Sequence, residues 1–432
     1  MSSKDEMEDK LNINVPDEYE LREELSGLKD ADSQLFRVLR ESMNHLEIAY
    51  VSTYPPTECG IATFTKDVLT SVSKYTPFSK PVVLAIGGEF EIEPYDNKIV
   101  KFKIVKENKE SFIEAARFIN DSSIDVVSIQ HEYGIYGGPD GEYLIDFMEA
   151  IKKPKVATLH TILHSPSPNQ KRIMQEIGKQ CDKIIVMVKT GRDILLDVYG
   201  IDPQKLVLIP HGVPNVHRVS ASRVKAALGI RDTNILSTFG LINSGKGLEY
   251  VIEAMPKILE KFPNTVYLVL GETHPGVRKY EGEKYRNMLS ETIDRLGLHE
   301  HVRFNNRFLS LTELVRYLCA TDIYITPYLS KDQIVSGTLA YAVGCGKAII
   351  STPYLYAEEI LADGRGQLVE FKSSESIANA VIDILSNKDK KESMEQKAYK
   401  YGRRAAWFNV GLDYFDTFYK ASMKSKQEAS KS

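Results

Sequence analysis

The strongest constraint on this chain is an alternation that runs from Leu46 to about Lys420. Short runs of β-branched and aliphatic residues are each followed by a longer stretch with helical spacing. The runs Leu46–Ser52, Val82–Ile86, Val126–Gln130, Val156–Leu159, Ile184–Val188 and Val207–Pro210 read as strands. A helix up to about Ser73, and helices over Glu110–Asn120, Leu144–Ala150, Ile173–Lys179 and Arg192–Tyr199, separate them. A polar segment with Pro214, Gly212–Ser220, reads as a linker, and then the pattern restarts. Ile235–Phe239, Val266–Leu270, Val302–Asn305, Ile323–Pro327 and Ala348–Ser351 are strands. Leu248–Glu260, Tyr285–Leu296, Leu311–Cys319, Leu339–Val343, Ile377–Leu385 and Lys390–Tyr401 are helices. A helix between two strands returns the chain to the same edge, so such strands lie parallel, with helices on both faces. At 432 residues a single core is too small an answer. The expectation is an α/β protein of two Rossmann-like, doubly wound domains, 46–212 and 213–404.

Outside that pattern the chain changes character. Residues 1–45 hold twelve acidic against six basic residues and form an acidic extension. Within it, 21–43 carries apolar residues at helical spacing, and Asp30-Ala31-Asp32 lacks a neighbouring strand and does not read as a metal site. The stretch 405–419 is an apolar helical pattern holding the only tryptophan, and the end of the chain, 420–432, is basic, with 425–432 as its tail. That Phe/Tyr-rich pattern flanked by lysines packs a core or touches a membrane surface peripherally. No apolar run approaches the ~18 residues of a membrane span, and the N-terminus does not read as a signal peptide. The four cysteines show no paired or metal-ligand spacing, which suits reduced thiols in a cytoplasmic protein. A net charge of -4 does not suit a nucleic-acid binder.

Three loops after strands carry chemistry. Between Ile323–Pro327 and the next helix stands Ser336-Gly337-Thr338. Ser336 suits an N-cap, and Gly337 lets a ligand approach the backbone. Free N–H groups at a helix start form an anion site, beyond the strand's carboxyl end where α/β ligands bind. The residues alone allow either a phosphate-bearing ligand or a plain capped connection. Lys246 lies in the Gly/Ser loop Gly240–Gly247, able to reach a phosphate as a point charge or simply to stand solvated at a helix entry. It is not a P-loop, because GxxxxGK[ST] fails at Gly247. The loop Thr53–Ala62, with Gly60, opens the first domain without the GxGxxG of a dinucleotide site. Three histidines, His131, His160 and His211, each follow a strand, too scattered for a metal site. They face one crevice or merely bond backbone.

Ser336-Gly337-Thr338 ahead of Cys345-Gly346, with Lys246, His160 and Glu359 of Glu-Ile-Leu-Ala-Asp-Gly in that order, resembles the retaining GT-B glycosyltransferases. The resemblance is to glycosyltransferase family 4, glycosyl transferase group 1, with features similar to bacterial glycogen synthases, and it covers roughly Leu46 to Lys420. It implies the GT-B fold, with a last helix at 405–424 crossing back onto the first domain. It implies a nucleotide-sugar donor on the second domain and a carbohydrate or other hydroxyl acceptor on the first. His160 and Lys246 fall on catalytic positions, His160 near the anomeric carbon. Gly60, Ser336, Gly337, Thr338 and Glu359 fall on donor or phosphate positions, with Arg307 near the base. His131, Glu132 and Tyr133 fall on the acceptor side. The chain also departs from the family. Aligned on Cys345-Gly346, the two family glutamates become Gln333 and Tyr341, and Leu241 stands in place of a phosphate-binding arginine. His211 stands where the family has asparagine. The implied activity is retaining hexosyl transfer from GDP-mannose or UDP-glucose, as in polysaccharide biosynthesis, with no metal and no cofactor beyond the nucleotide sugar as co-substrate. A phosphorylase using inorganic phosphate in the same cradle, and a degenerate scaffold, are the alternatives.

Overall fold

The computed structural model describes residues 45–76, 79–88, 95–227 and 232–429, with side chains to 424. The expected helix at 21–43 and the Asp30-Ala31-Asp32 segment lie outside the described residues. The first sheet contains β1 (Leu46–Ser52), β2 (Ser79–Gly87), β3 (Val100–Val105), β4 (Val126–His131), β5 (Lys155–Leu159), β6 (Lys183–Val186) and β7 (Leu206–Leu208). All are parallel, in the order β3-β2-β1-β4-β5-β6-β7. Helices α1 (Gly60–Tyr75), α2 (Lys109–Asp121), α3 (Tyr143–Ala150), α4 (Pro168–Gln180) and α5 (Lys189–Asp197) connect them. Both faces of β1 are buried, which explains its unbroken apolar run. Ala49 and Val51 join one core with Phe112 and Phe147, whereas Ile48 and Tyr50 join another with Phe64 and Phe418. The expected scheme had no strand between Ile86 and Glu110, and this is corrected by β3. Its sequence interleaves Lys101 and Lys103 with apolar residues because it is the sheet edge, so it lacks a buried strand's continuous apolar run.

The second sheet is also parallel. It holds β8 (Asn234–Phe239), β9 (Thr265–Leu270), β10 (Val302–Asn305), β11 (Ile323–Thr326), β12 (Ala348–Ser351) and β13 (Gln367–Leu368), in the order β10-β9-β8-β11-β12-β13. Its helices are α6 (Ala221–Ala227), α7 (Leu248–Lys261), α8 (Pro275–Glu281), α9 (Lys284–Leu296), α10 (Leu311–Ala320), α11 (Gly337–Gly344), α12 (Leu355–Ile360), α13 (Ser374–Ser386) and α14 (Lys388–Gly402). The short α6, α8 and α12 were not expected, being too brief to repeat an apolar period.

The chain then returns. α15 (Trp407–Ala429) packs on the first domain. Tyr414 shares a hydrogen bond with Thr158 of β5 (3.2 Å), and Phe418 meets Tyr50 of β1 edge-on at 6.0 Å. Outgoing linker and returning segment lie side by side. Val213 N–H donates to Ala405 (2.8 Å), and Trp407 N–H donates to Val213 (3.0 Å). Arg403 clamps the crossing by donating to Gly344 O (2.5 Å) and Asn215 Oδ1 (2.9 Å). A Cβ on Gly212 would lie 2.3 Å from the Trp407 ring. Gly212→Ala is therefore expected to displace the indole and cost about 1–3 kcal/mol. As Trp407 is the sole tryptophan, its emission spectrum, read beside a urea titration, checks both effects.

Among the described residues, no helix is long and apolar enough to cross a membrane.

Candidate functional site

In each sheet the strand order reverses direction at one place, between β1 and β4 and between β8 and β11. Ligands of open α/β sheets bind at the carboxyl ends of such strands. In the second domain three loops meet there. Gly240, at φ +127°, turns the chain out of β8 so closely that a Cβ would sit 3.2 Å from Thr338. Gly247, at φ +62°, starts α7, where a Cβ would lie 2.3 Å from Pro327 O. Only glycine suits both requirements.

Between these glycines stands Lys246, on the 3-10 turn Ser244–Lys246. Its Nζ lies 3.8 Å from the centre of the Tyr328 ring, and Tyr328 stacks on Tyr354 at 5.4 Å. A cation over an aromatic face is attracted by the ring quadrupole. Among the described residues no carboxylate pairs with Lys246. Its field, added to burial, holds His274 below the usual imidazole range, burial being the larger cause. The Tyr328 hydroxyl bonds Thr338 Oγ1 (2.7 Å), which bonds Ser336 Oγ (3.1 Å). Ser336 caps α11 as expected, its Oγ accepting from Leu339 N (3.3 Å). The aromatic seat of the lysine and the start of α11 are thus joined by two hydrogen bonds, from Tyr328 through Thr338 to Ser336.

On the first domain, His160 immediately follows β5. Its Nε2 lies 3.0 Å from Gln130 Oε1, while the Gln130 amide donates to Ser128 (3.2 Å). An amide oxygen only accepts, so His160 carries its proton on Nε2 and leaves Nδ1 bare. Burial pushes its pKa down to about 3, helped by His211 and His131. His211 carries its proton on Nδ1, 2.8 Å from Gly212 O, and burial takes its pKa down to about 4. Phe64 lies edge-on to both rings, at 4.8 Å from His160 and 4.9 Å from His211. Gly60 opens α1, and a Cβ there would meet nothing within 4 Å.

The other expected residues are placed as follows. His131 is 1% exposed, packed between Tyr133 (4.8 Å) and Tyr136 (6.5 Å), with Nδ1 buried and unpartnered among the described residues. Burial takes its pKa down to about 3. Glu132 accepts from Thr161 Oγ1, and burial raises its pKa. Tyr133 reaches Gln170 O at 3.4 Å. The Gln333 amide donates to Val335 O (3.0 Å). Arg307 is half exposed and pairs with Glu313 at the start of α10 (2.6 Å).

Two of the candidates reach across the domains. The Tyr341 hydroxyl donates to Asp67 Oδ2 of α1 (2.8 Å), and burial pushes the Asp67 pKa up to about 6 against that bond. Nothing in the sequence singled out Asp67, whose partner is 274 positions away. Glu359 sits at the start of α5, where Val188 offers no side-chain cap. It accepts from Lys189 N (2.8 Å), Thr190 N (2.9 Å) and Thr190 Oγ1 (2.8 Å). A carboxylate at a helix N-terminus satisfies orphan donors and the dipole together. Glu359→Ala is expected to cost about 1–2 kcal/mol, the usual value of a lost N-cap, seen as a lower urea midpoint.

The comparisons with known proteins agree with this architecture. A model described as "Glycosyl transferases group 1" matches residues 222–401. A second, "Glycosyltransferase Family 4", matches residues 86–215. Spore coat protein SA of Bacillus subtilis is 24% identical over 193 residues, 44% of this chain and 48% of that protein. The phosphatidyl-myo-inositol mannosyltransferase of Mycolicibacterium smegmatis is 22% identical over 355 residues, 80% of this chain and 84% of that enzyme. The matched parts cover about half to three-fifths of the first curated relatives. Anabaena HepE, solved with UDP and glucose, superposes with a TM-score of 0.69 at 15% identity, over 87% of this chain and all of that one. The fold is GT-B, and the chain belongs to glycosyltransferase family 4, the group 1 glycosyl transferases.

Proposed function

We propose that the chain transfers a hexosyl group from a nucleotide sugar to a hydroxyl acceptor, with retention at the anomeric carbon. One observation carries this reading. A lysine with no carboxylate partner among the described residues is held on an aromatic face beside the start of α11, at the strand-order reversal. That is the charge pattern a departing diphosphate needs. As the glycosidic bond to phosphate breaks, positive charge grows on the sugar ring and negative charge on the leaving oxygens. Lys246 and the free N–H groups of the first turn stabilise the latter by preorganised electrostatics. The leaving phosphate itself takes the acceptor's proton, so no carboxylate base is required. His160, neutral with a bare Nδ1, accepts from a sugar hydroxyl and does not compete for the phosphate. Domain closure keeps water from the activated sugar. The acceptor lies on the first domain beside Glu132 and Tyr133. Cation and helix dipole neutralise the diphosphate without a metal, and turnover in EDTA would test that. The named activities of the relatives and the UDP bound to HepE support a nucleotide-sugar donor, with GDP-mannose and UDP-glucose favoured.

The test is thermal denaturation with UDP, GDP, ADP, their glucose and mannose conjugates and inorganic phosphate, on wild type and Lys246→Ala. A ligand at a hundred times its Kd stabilises by about 2.7 kcal/mol. One nucleoside diphosphate is expected to raise Tm in wild type and not in the variant. A shift with phosphate alone would favour a phosphorylase, and none with any compound a scaffold.

A further inference from the structure

We infer that His211 is a specificity-determining residue whose Nε2 accepts a hydrogen bond from a hydroxyl of the donor's sugar. The inference rests on the nucleotide-sugar reading above and adds a residue to it. The ring is held by three aromatic neighbours and one hydrogen bond. Phe64 lies edge-on at 4.9 Å, Tyr341 at 5.9 Å and Trp407 at 6.2 Å, and Nδ1 is held on Gly212 O at 2.8 Å. A carbonyl oxygen accepts only, so the proton is on Nδ1 and Nε2 is a lone-pair acceptor. That nitrogen points at the first residue of α11. It lies 2.9 Å from where a Cβ on Gly337 would stand, and among the described residues it has no hydrogen-bond partner. His211 is 7% exposed, so a partner reaching Nε2 enters from the crevice and not from bulk water.

The chemistry of that partner is restricted. A bare imidazole nitrogen repels phosphate oxygens, which are acceptors like itself, so the diphosphate binds by Lys246 and the α11 amides. The group next to the diphosphate is the sugar, joined through its anomeric carbon, and its hydroxyls are donors. Edge-on and tilted aromatic packing and the Nδ1 bond fix the direction of the acceptor. A ring fixed in this way selects hydroxyl position better than a flexible side chain would. It also gives Gly337 a reason: any larger residue would push the imidazole from its place.

The experiment is titration calorimetry without acceptor, using UDP, UDP-glucose, GDP and GDP-mannose on wild type, His211→Phe and His211→Gln. The quantity read is the affinity ratio between each nucleotide sugar and its bare nucleotide. Phenylalanine keeps the packing and removes the acceptor, so nucleotide-sugar affinity is expected to fall five- to tenfold, as for one hydrogen bond. Bare nucleotide affinity should change less than twofold, and glutamine, whose amide oxygen reaches the same region, should recover most of the loss. Equal weakening of both ligands, or of neither, overturns the assignment, because a hinge or packing role gives that result. Unchanged binary binding with a raised KM for the acceptor overturns it too. If His211→Phe fails to fold, His211→Asn, too short to reach Gly337, is expected to show the same split. Wild type binding none of the four probes, nor ADP and its sugar conjugates, defeats the nucleotide-sugar reading itself, and this inference with it.

Discussion

Replacing Lys246 with methionine is expected to slow hexosyl transfer by about a hundred- to a thousandfold, with the fold intact. The size follows from what preorganised charge supplies in a water-excluded site, about 3–4 kcal/mol for one removed donor. On the proposed reading it is near the upper end here, because Leu241 stands where the resembled family has a phosphate-binding arginine. The loss should appear in kcat more than in KM, since the charge on the departing phosphate is greatest in the transition state. Stability should drop little. Lys246 sits on a turn, and its contact with Tyr328 is worth about 0.5–1 kcal/mol. Lys246→Arg keeps charge and aromatic contact but presents a planar fork in place of a point, so an intermediate rate is expected. Equal rates for wild type and Lys246→Met would show that the α11 amides suffice.

How far the site could be read in the sequence depends on how local each cause is. The strands were legible because burial on both faces leaves unbroken apolar runs, as in Val126–His131. Ser336 was legible because an N-cap is decided by its own side chain and the next turn. Lys246 was legible as a lysine in a strand–loop–helix turn, but its seat on Tyr328 was not, since that ring arrives from the β11 loop. Tyr341 and Glu359 show the limit most clearly. Residue type and alignment place them beside the donor. In the structure the Tyr341 hydroxyl is engaged by Asp67 and the Glu359 carboxylate by the start of α5, both in the other domain. Such contacts depend on how two separately folded sheets dock, which no local pattern encodes. Arg307 is similar, its guanidinium held by Glu313 within the capping box of α10.

The second large effect is acid lability between pH 7 and pH 5. His131, His160 and His211 are buried and neutral, with pKa values taken down by burial to about 3, 3 and 4. In the unfolded chain an imidazole titrates near 6.5. A depressed histidine therefore contributes stability that is fully present above 6.5 and lost as pH falls towards the folded value, because only the unfolded state takes up the proton. Each contributes up to about 1.4 kcal/mol per pH unit, so three lose about 4–6 kcal/mol by pH 5. Asp67 works in the opposite sense. Its pKa is raised to about 6, so it destabilises above the unfolded value near 4 and returns about 1 kcal/mol on acidification. The histidines outnumber it, and urea titrations at pH 7.5, 6 and 5 are expected to show net loss. His131→Phe separates two accounts of that residue. It removes a buried ring nitrogen that has no partner among the described residues and leaves the other two of these three histidines, so their joint contribution to the slope of stability against pH should fall by about a third. Turnover should persist if His131 only packs between Tyr133 and Tyr136. An unchanged slope with lost turnover would instead place His131 at the acceptor, exposed to solvent when the domains part.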